Sequence, residues 1–269
     1  MKKIIWFLIL FFFVPTVLAK EKTLLGIGDS ITTGYGVEEK GSYFSILCEK
    51  MQSKESVNCK NEAVNGMTTK ELLEKVQTEA FQKQVKQVDY LVLSIGGNDY
   101  LEELSRHLLL YLTPTVDLTR FEQVSDQLLQ NTESIFKEIK VQHPQIQLLI
   151  VPLYNPYHAL LSKNATLLSA FEKVQADYLK LAQKYGFIPD QLSEQLLEEG
   201  YLNAGKDNID PHPTAQGHAL IAEELFSLLE EKKQTIQRPN YRLLNSTFFV
   251  LLAVVITIYF WITRKKKFQ

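Results

Sequence analysis

The chain has 269 residues, 22% charged and 45% hydrophobic, with 12 glycines, 9 prolines and a formal charge of −2. That balance excludes a disordered or collagen-like chain and a strongly basic nucleic-acid binder. The average hides unlike parts, because the two ends differ sharply from the middle.

Residues 1–19 read MKKIIWFLILFFFVPTVLA: two lysines, an apolar run with one proline near its end, and Val17-Leu18-Ala19 as a small-residue cleavage signal. This is the layout of a secretory signal peptide, or of an anchor if it stays uncleaved. Residues 22–235 show no repeat and no break rich in Pro, Gly or Ser, so they are read as one domain. Within it, strands are expected at TLLGIG (23–28), SVNCKNEAV (56–64), YLVLSIG (90–96) and QLLIVPL (147–153), with helices near 43–52, 68–87, 119–141, 166–185 and 213–231. Phe121, Val124, Leu128, Ile135 and Ile139 recur at three-to-four spacing, one helix face suited to packing on a sheet. Apolar strands alternating with long helices predict an α/β fold, a parallel sheet with helices on both faces. Leu101–Leu118 is read as a core helix, with a lid or acyl-chain pocket as the alternative. Residues 236–242 form a short stalk.

Residues 243–262, LLNSTFFVLLAVVITIYFWI, carry no charge and are long enough to cross a hydrocarbon core as a helix. Arg264, Lys265, Lys266 and Lys267 follow in the tail 263–269, which the positive-inside rule keeps in the cytoplasm. The expected location is therefore the cell membrane, with the domain outside and the bilayer as a partner through this segment. Without the six basic residues at the ends, the external part holds 23 Lys and Arg against 31 Asp and Glu, a charge of −8. An acidic external domain is no partner for nucleic acid.

In a parallel sheet, ligands bind beyond the carboxyl ends of the strands, so the loops there are where chemistry is sought. The first holds Gly28-Asp29-Ser30, where flanking glycines allow a tight turn that exposes a serine as a nucleophile. The second runs from Asn61 to Thr69, with Gly66 at a strand end and Thr68 or Thr69 as a cap. The third is Gly96-Gly97-Asn98-Asp99, whose Asn98 amide can be aimed into the same crevice. The fourth includes Asp207, Asp210, Pro211, His212 and Pro213, with Pro213 suited to the first turn of the last helix. A histidine beside an acid is the minimal general base with an orienting partner. A metal reading from His212, His218 and an aspartate lacks a third strong ligand. Asp29 and Asp99 are read as holding loop backbone. Cys48 and Cys59 are either one disulfide or two buried thiols.

Gly-Asp-Ser, Asn61-x-x-x-x-Gly66, Gly-Gly-Asn-Asp and the Asp/His-Pro element, in that order, resemble the four blocks of the SGNH, or GDSL, hydrolase superfamily. Tyr154-Asn155-Pro156 further resembles lipase/acylhydrolase-like members of Gram-positive bacteria. The resemblance implies a single-domain three-layer α/β/α sandwich. It implies Ser30 as nucleophile, His212 as base, and an oxyanion hole from the N–H groups of Ser30 and Gly66 and the Asn98 amide. It implies ester hydrolysis with no cofactor and no metal. One block departs from the pattern: the family places its aspartate three residues before the histidine, where this chain has Ile209. Asp210 is preferred over Asp207, since the Asp210-Pro211-His212-Pro213 stretch is short and stiff. The substrate class stays open between acyl lipids and acetylated wall or surface glycans. Acetyl transfer and a non-catalytic binding module on the same fold are the alternatives.

Overall fold

The computed structural model of the protein describes residues 20–111, 117–161, 164–204 and 209–237. The signal-like segment 1–19, most of the stalk, the apolar segment 243–262 and the basic tail lie outside the described residues. Among the described residues no helix is long and apolar enough to cross a membrane. The chain divides into two compact units, Met1–Phe226 and Ser227–Gln269, and the sheet and the site belong to the first.

Four strands form one sheet: β1 (Lys22–Gly28), β2 (Val57–Asn61), β3 (Tyr90–Ser94) and β4 (Gln147–Ile150). Their order is β2-β1-β3-β4 and every pair is parallel. The helices are α1 (Ser30–Thr33), α2 (Tyr43–Gln52), α3 (Thr69–Val76), α4 (Glu79–Val85), α5 (Gly97–Tyr111), α6 (Thr119–Gln142), α7 (His158–Leu161), α8 (Ala165–Tyr185), α9 (Leu192–Gln195) and α10 (Ala215–Gln237).

Side chains alternate across a strand, and both faces of this sheet are apolar. Leu25, Ile27, Leu91, Leu93, Leu148 and Ile150 join one buried cluster with Leu72 and Val76 of α3, Phe121, Leu128 and Ile135 of α6, and Phe171 and Tyr178 of α8. Their neighbours Leu24, Val92 and Leu149 are equally buried. On that second face Gly26 leaves room for the Phe44 ring of α2, which lies 2.7 Å from where a β-carbon would stand. The Tyr43 backbone N–H then donates to His218 Nδ1 of α10, 3.2 Å away. Helices cover both faces, giving the three-layer α/β/α arrangement with a central parallel sheet.

Several elements differ from the sequence expectation, each for a local reason. The helix expected over 68–87 is two, because Thr78 accepts the Phe81 N–H and starts α4 anew. Strand β2 ends at Asn61, although the Glu62 and Val64 N–H groups still donate to Gly26 O and Gly28 O of β1, at 2.7 and 2.9 Å. The helix expected from Leu101 begins at Gly97, so Asn98 and Asp99 stand on its first turn rather than in a loop. Pro213 is outside α10: it pairs with Leu202 in an isolated bridge, and Thr214 Oγ1 accepts the Gly217 N–H at the helix start. Residues around Phe187 extend the sheet beyond β4, with the Phe187 N–H on Leu148 O at 2.7 Å. Cys48 of α2 and Cys59 of β2 are joined as a disulfide, with their Cα atoms 6.2 Å apart.

His218 is fully buried, and burial, with the nearby His212 charge adding to it, lowers its pKa to about 4. Because Nδ1 accepts from Tyr43, the proton sits on Nε2, which has no partner among the described residues. Its pKa is depressed by folding, so between about pH 6.5 and 4 the unfolded chain takes up a proton that the folded chain refuses. Stability is fully present above that window and falls as pH drops through it, by about 3 kcal/mol for this residue. Urea unfolding of the wild type and His218→Phe at pH 7.5 and pH 4 should show this as a pH-dependent difference between them. A difference that does not change with pH would mean that His218 titrates normally in the fold.

Candidate active site

At the end of β1 the chain has to turn beneath Ser94. Gly28 makes that turn with φ +106, and a β-carbon there would stand 2.0 Å from Ser94 O. The next N–H, of Asp29, donates to the same carbonyl at 3.1 Å. Asp29 is the cap of α1, its carboxylate accepting the Ile31 N–H at 3.1 Å, which leaves Ser30 as the first residue of the helix. The Ser94 hydroxyl donates to Asp29 Oδ1, and Thr32 Oγ1 lies 2.8 Å from Ser94 Oγ and 2.7 Å from Tyr43 OH. Burial pushes the Asp29 carboxyl above the usual carboxylate range, against the hydrogen bonds from Ser94 and Ile31 and the attraction of His212. This buried network fixes the backbone of Ser30 from below.

His212 arrives from the opposite side, on the loop before α10. Its Nε2 lies 2.9 Å from Ser30 Oγ and its Nδ1 2.5 Å from Asp210 Oδ1. Asp210 Oδ1 also accepts the His212 backbone N–H, and Oδ2 accepts from Asn203 Nδ2, each at 3.1 Å. Burial works to raise the Asp210 carboxyl, but the bonds from His212 and Asn203, with the attraction of His212, bring it below its ordinary range. An ionised carboxylate at Nδ1 holds the proton there, so Nε2 presents its lone pair to the Ser30 hydroxyl. Ile209, where the family pattern has its acid, is 77% exposed and only its carbonyl is engaged, by Tyr157 OH at 2.9 Å. Asp207 lies outside the described residues.

Gly66 and Asn98 approach from the third side. Gly66 does not end a strand; it lies five residues past β2, in a turn at φ +80 that suits glycine, and Thr68 caps α3 behind it. Among the described residues neither the Ser30 nor the Gly66 backbone N–H has a hydrogen-bond partner. Asn98 Nδ2 donates to Met67 O at 3.0 Å, which leaves the second hydrogen of that amide for a ligand. Asp99 accepts the Thr69 N–H at 3.0 Å and the Thr69 hydroxyl at 2.6 Å. Two successive side chains on the first turn of α5 thus grip the turn that carries Gly66. Asn98→Ala should lower kcat about 10²–10³-fold with little change in KM, as loss of one oxyanion donor does. Steady-state kinetics would check it, and a change in KM alone would make Asn98 a binding residue instead.

Sequence reasoning missed the residues that hold this geometry. The Tyr154 hydroxyl donates to Pro211 O at 3.0 Å, so it and Tyr157 clamp the 209–212 segment by its carbonyls. The Asn203 N–H donates to His212 O at 2.9 Å, besides its side-chain bond to Asp210. The Tyr35 ring lies 4.6 Å from the imidazole. The Tyr154-Asn155-Pro156 motif was a signal for the first clamp; nothing marks Asn203. Among the described residues no group of three or more His, Cys, Asp or Glu could hold a metal ion.

A hydroxyl on an imidazole on a carboxylate, beside unpaired N–H donors, is an arrangement fit for nucleophilic acyl transfer. The model of the GDSL-like lipase/acylhydrolase family matches residues 27–220, from the end of β1 into α10. The chain belongs to that family. It is also 28% identical over 218 residues to the uncharacterized protein YpmR of Bacillus subtilis (strain 168), across 78% of this chain and 82% of that protein. Among solved structures, the lipase Lip_vut3 from a goat rumen metagenome superposes with a TM-score of 0.62 at 19% identity, over 77% of this chain and 97% of that one. An acetylxylan esterase from Geobacillus stearothermophilus superposes with a TM-score of 0.56 at 16% identity, over 77% and 93%. At such identities the likeness to these structures is one of fold.

Proposed function

We propose that this GDSL-family protein is a serine esterase held at a membrane, with its catalytic domain outside the cell. The observation that carries the chemistry is the 2.9 Å contact of His212 Nε2 with Ser30 Oγ, with Asp210 on the far nitrogen. Ser30 Oγ attacks the ester carbonyl carbon as its proton passes to His212 Nε2, and the carbonyl electron pair moves onto oxygen. The N–H groups of Ser30 and Gly66 and the amide of Asn98 receive that oxyanion. Collapse of the intermediate breaks the bond to the alcohol oxygen, which leaves with the proton from His212. Water then repeats the sequence on the acyl-enzyme and regenerates Ser30.

The membrane part of the reading rests on sequence: the uncharged run 243–262 before Arg264–Lys267, and the signal-like residues 1–19. The substrates are acyl esters near the bilayer or acetylated surface glycans. The fold neighbours include both a lipase and an acetylxylan esterase.

Treating the full-length protein in detergent with a fluorophosphonate tests the mechanism. The expected result is one covalent adduct on the peptide bearing Ser30 and parallel loss of p-nitrophenyl ester hydrolysis. Hydrolysis that survives full labelling, or an adduct elsewhere, would overturn it. Protease accessibility of the domain on intact cells tests the orientation; protection there would argue for the cytoplasmic side.

A further inference from the structure

Tyr35 is a large aromatic residue left 53% exposed beside the Ser30–His212 pair, and its hydroxyl has no hydrogen-bond partner among the described residues. The chain places its ring there by a local device. Helix α1 lasts four residues and ends at Gly34, at φ +81, where a β-carbon would stand 2.3 Å from Ser42 Cβ. The Gly34 and Tyr35 N–H groups then both donate to Ser30 O, at 3.2 and 3.0 Å. Tyr35 is thus hung on the carbonyl of the nucleophile itself, and its ring reaches across to the imidazole of His212, with the centroids 4.6 Å apart and the planes at 43°.

Both nitrogens of that imidazole are taken, Nε2 by Ser30 Oγ and Nδ1 by Asp210. The His212 side chain is only 15% exposed, so the positive charge it gains with the Ser30 proton meets little water. We infer that the Tyr35 ring supports this charge, stabilising the imidazolium in the transition state, which makes Tyr35 a positioning residue that acts through His212. The inference rests on the serine-esterase reading above. The physical basis is the attraction of a cation to the face of an aromatic ring within about 6 Å, which strengthens as water is excluded. Other groups bear on the same charge. Asp210 and the buried Asp29 attract it, and it acts in turn on the buried His218 of α10. With its hydroxyl unused, Tyr35 contributes through its ring alone.

The test is the pH profile of kcat/KM on p-nitrophenyl esters for the full-length protein in detergent, as wild type, Tyr35→Phe, Tyr35→Trp and Tyr35→Leu. Active sites are counted by fluorophosphonate labelling of Ser30, so an unfolded fraction does not enter the rates. Tyr35→Phe keeps the ring and should stay within about twofold of wild type, while Tyr35→Leu should lower the plateau about fivefold. An imidazolium with less support also gives up its proton at lower pH, so the acid limb of Tyr35→Leu should move down by about 0.7 of a pH unit, the same fivefold. The ratio of wild type to Tyr35→Leu should therefore fall from about five on the plateau toward one on the acid limb. Asp210, Asp29 and His218 are present in both proteins and cancel from that ratio. Tyr35→Trp, with the stronger ring face, should move the acid limb upward instead. A ratio independent of pH would mean that the ring only packs and would overturn the inference. So would a Tyr35→Phe as slow as Tyr35→Leu, or a Tyr35→Trp whose acid limb moves down. A wild type that neither hydrolyses esters nor takes label at Ser30 sinks the esterase reading and this inference with it; an active, labelled wild type with a flat ratio sinks the role of Tyr35 alone.

Discussion

Ser30→Ala should lower kcat on p-nitrophenyl esters by about 10⁴–10⁶-fold, to a residue of activity owed to binding and oxyanion stabilisation alone. The loss is that large because Ser30 supplies the atom that bonds to the acyl carbon, and no other hydroxyl replaces it. Thr33 Oγ1, nearby on α1, donates to Ser30 O at 3.0 Å and has its own partner in Asn65. Thr32 Oγ1 is buried between Ser94 and Tyr43. The fold should be spared. The Ser30 backbone is held by the Asp29 cap and by bonds from Thr33 and Gly34, none of which uses the Ser30 hydroxyl. KM should stay near the wild-type value, because substrate contacts other than the reacting atom remain. Single-turnover kinetics would check both points: the acyl-enzyme burst disappears with the hydroxyl. Equal turnover in the variant would remove Ser30 as nucleophile and with it the mechanism.

The parts of this fold and site that were legible in the sequence are those fixed by local pattern. The apolar runs that became β1, β3 and β4 have to be buried on both sides, and only a parallel sheet under two helix layers does that. The spacing of Phe121, Leu128 and Ile135 marks one helix face, and α6 packs through it. The order of the four motifs placed Ser30, Gly66, Asn98 and His212 at the same end of the sheet, and the first and last of these meet at hydrogen-bond distance. What was not legible depends on partners far away in the chain. Gly97 and Asn98 have the local chemistry of a turn, yet they begin α5, where Asn98 bonds to Met67 and Asp99 to Thr69. Asn203 reaches the carboxylate only because its backbone pairs with His212, a contact no spacing announces. Tyr154 and Tyr157 act on carbonyl groups more than fifty residues on, so their targets carry no side-chain signature.

Asp210→Asn should cost about 10⁴-fold in kcat while leaving KM nearly unchanged, far more than its loss of one charge suggests. The reason is the tautomer. Asp210 Oδ1 accepts both the His212 backbone N–H and the ring Nδ1–H, and Oδ2 accepts from Asn203. An asparagine has one acceptor to offer three donors. If its oxygen stays on Asn203, its NH₂ faces His212 Nδ1, which then has to be the acceptor, and the ring proton moves to Nε2. There it points at Ser30 Oγ and removes the base. If its oxygen stays on His212 instead, its NH₂ opposes the Asn203 amide and the loop shifts. Asn203→Ala relieves that second conflict, so the double variant should regain part of the activity that Asp210→Asn loses, which a purely structural role would not produce. Asp207→Asn is the control, expected within about twofold of wild type because Asp210 already occupies Nδ1. A larger loss there than at Asp210 would move the orienting role five residues upstream of His212. It would also mean that the close Asp210–His212 pair orders the loop and takes no part in proton transfer.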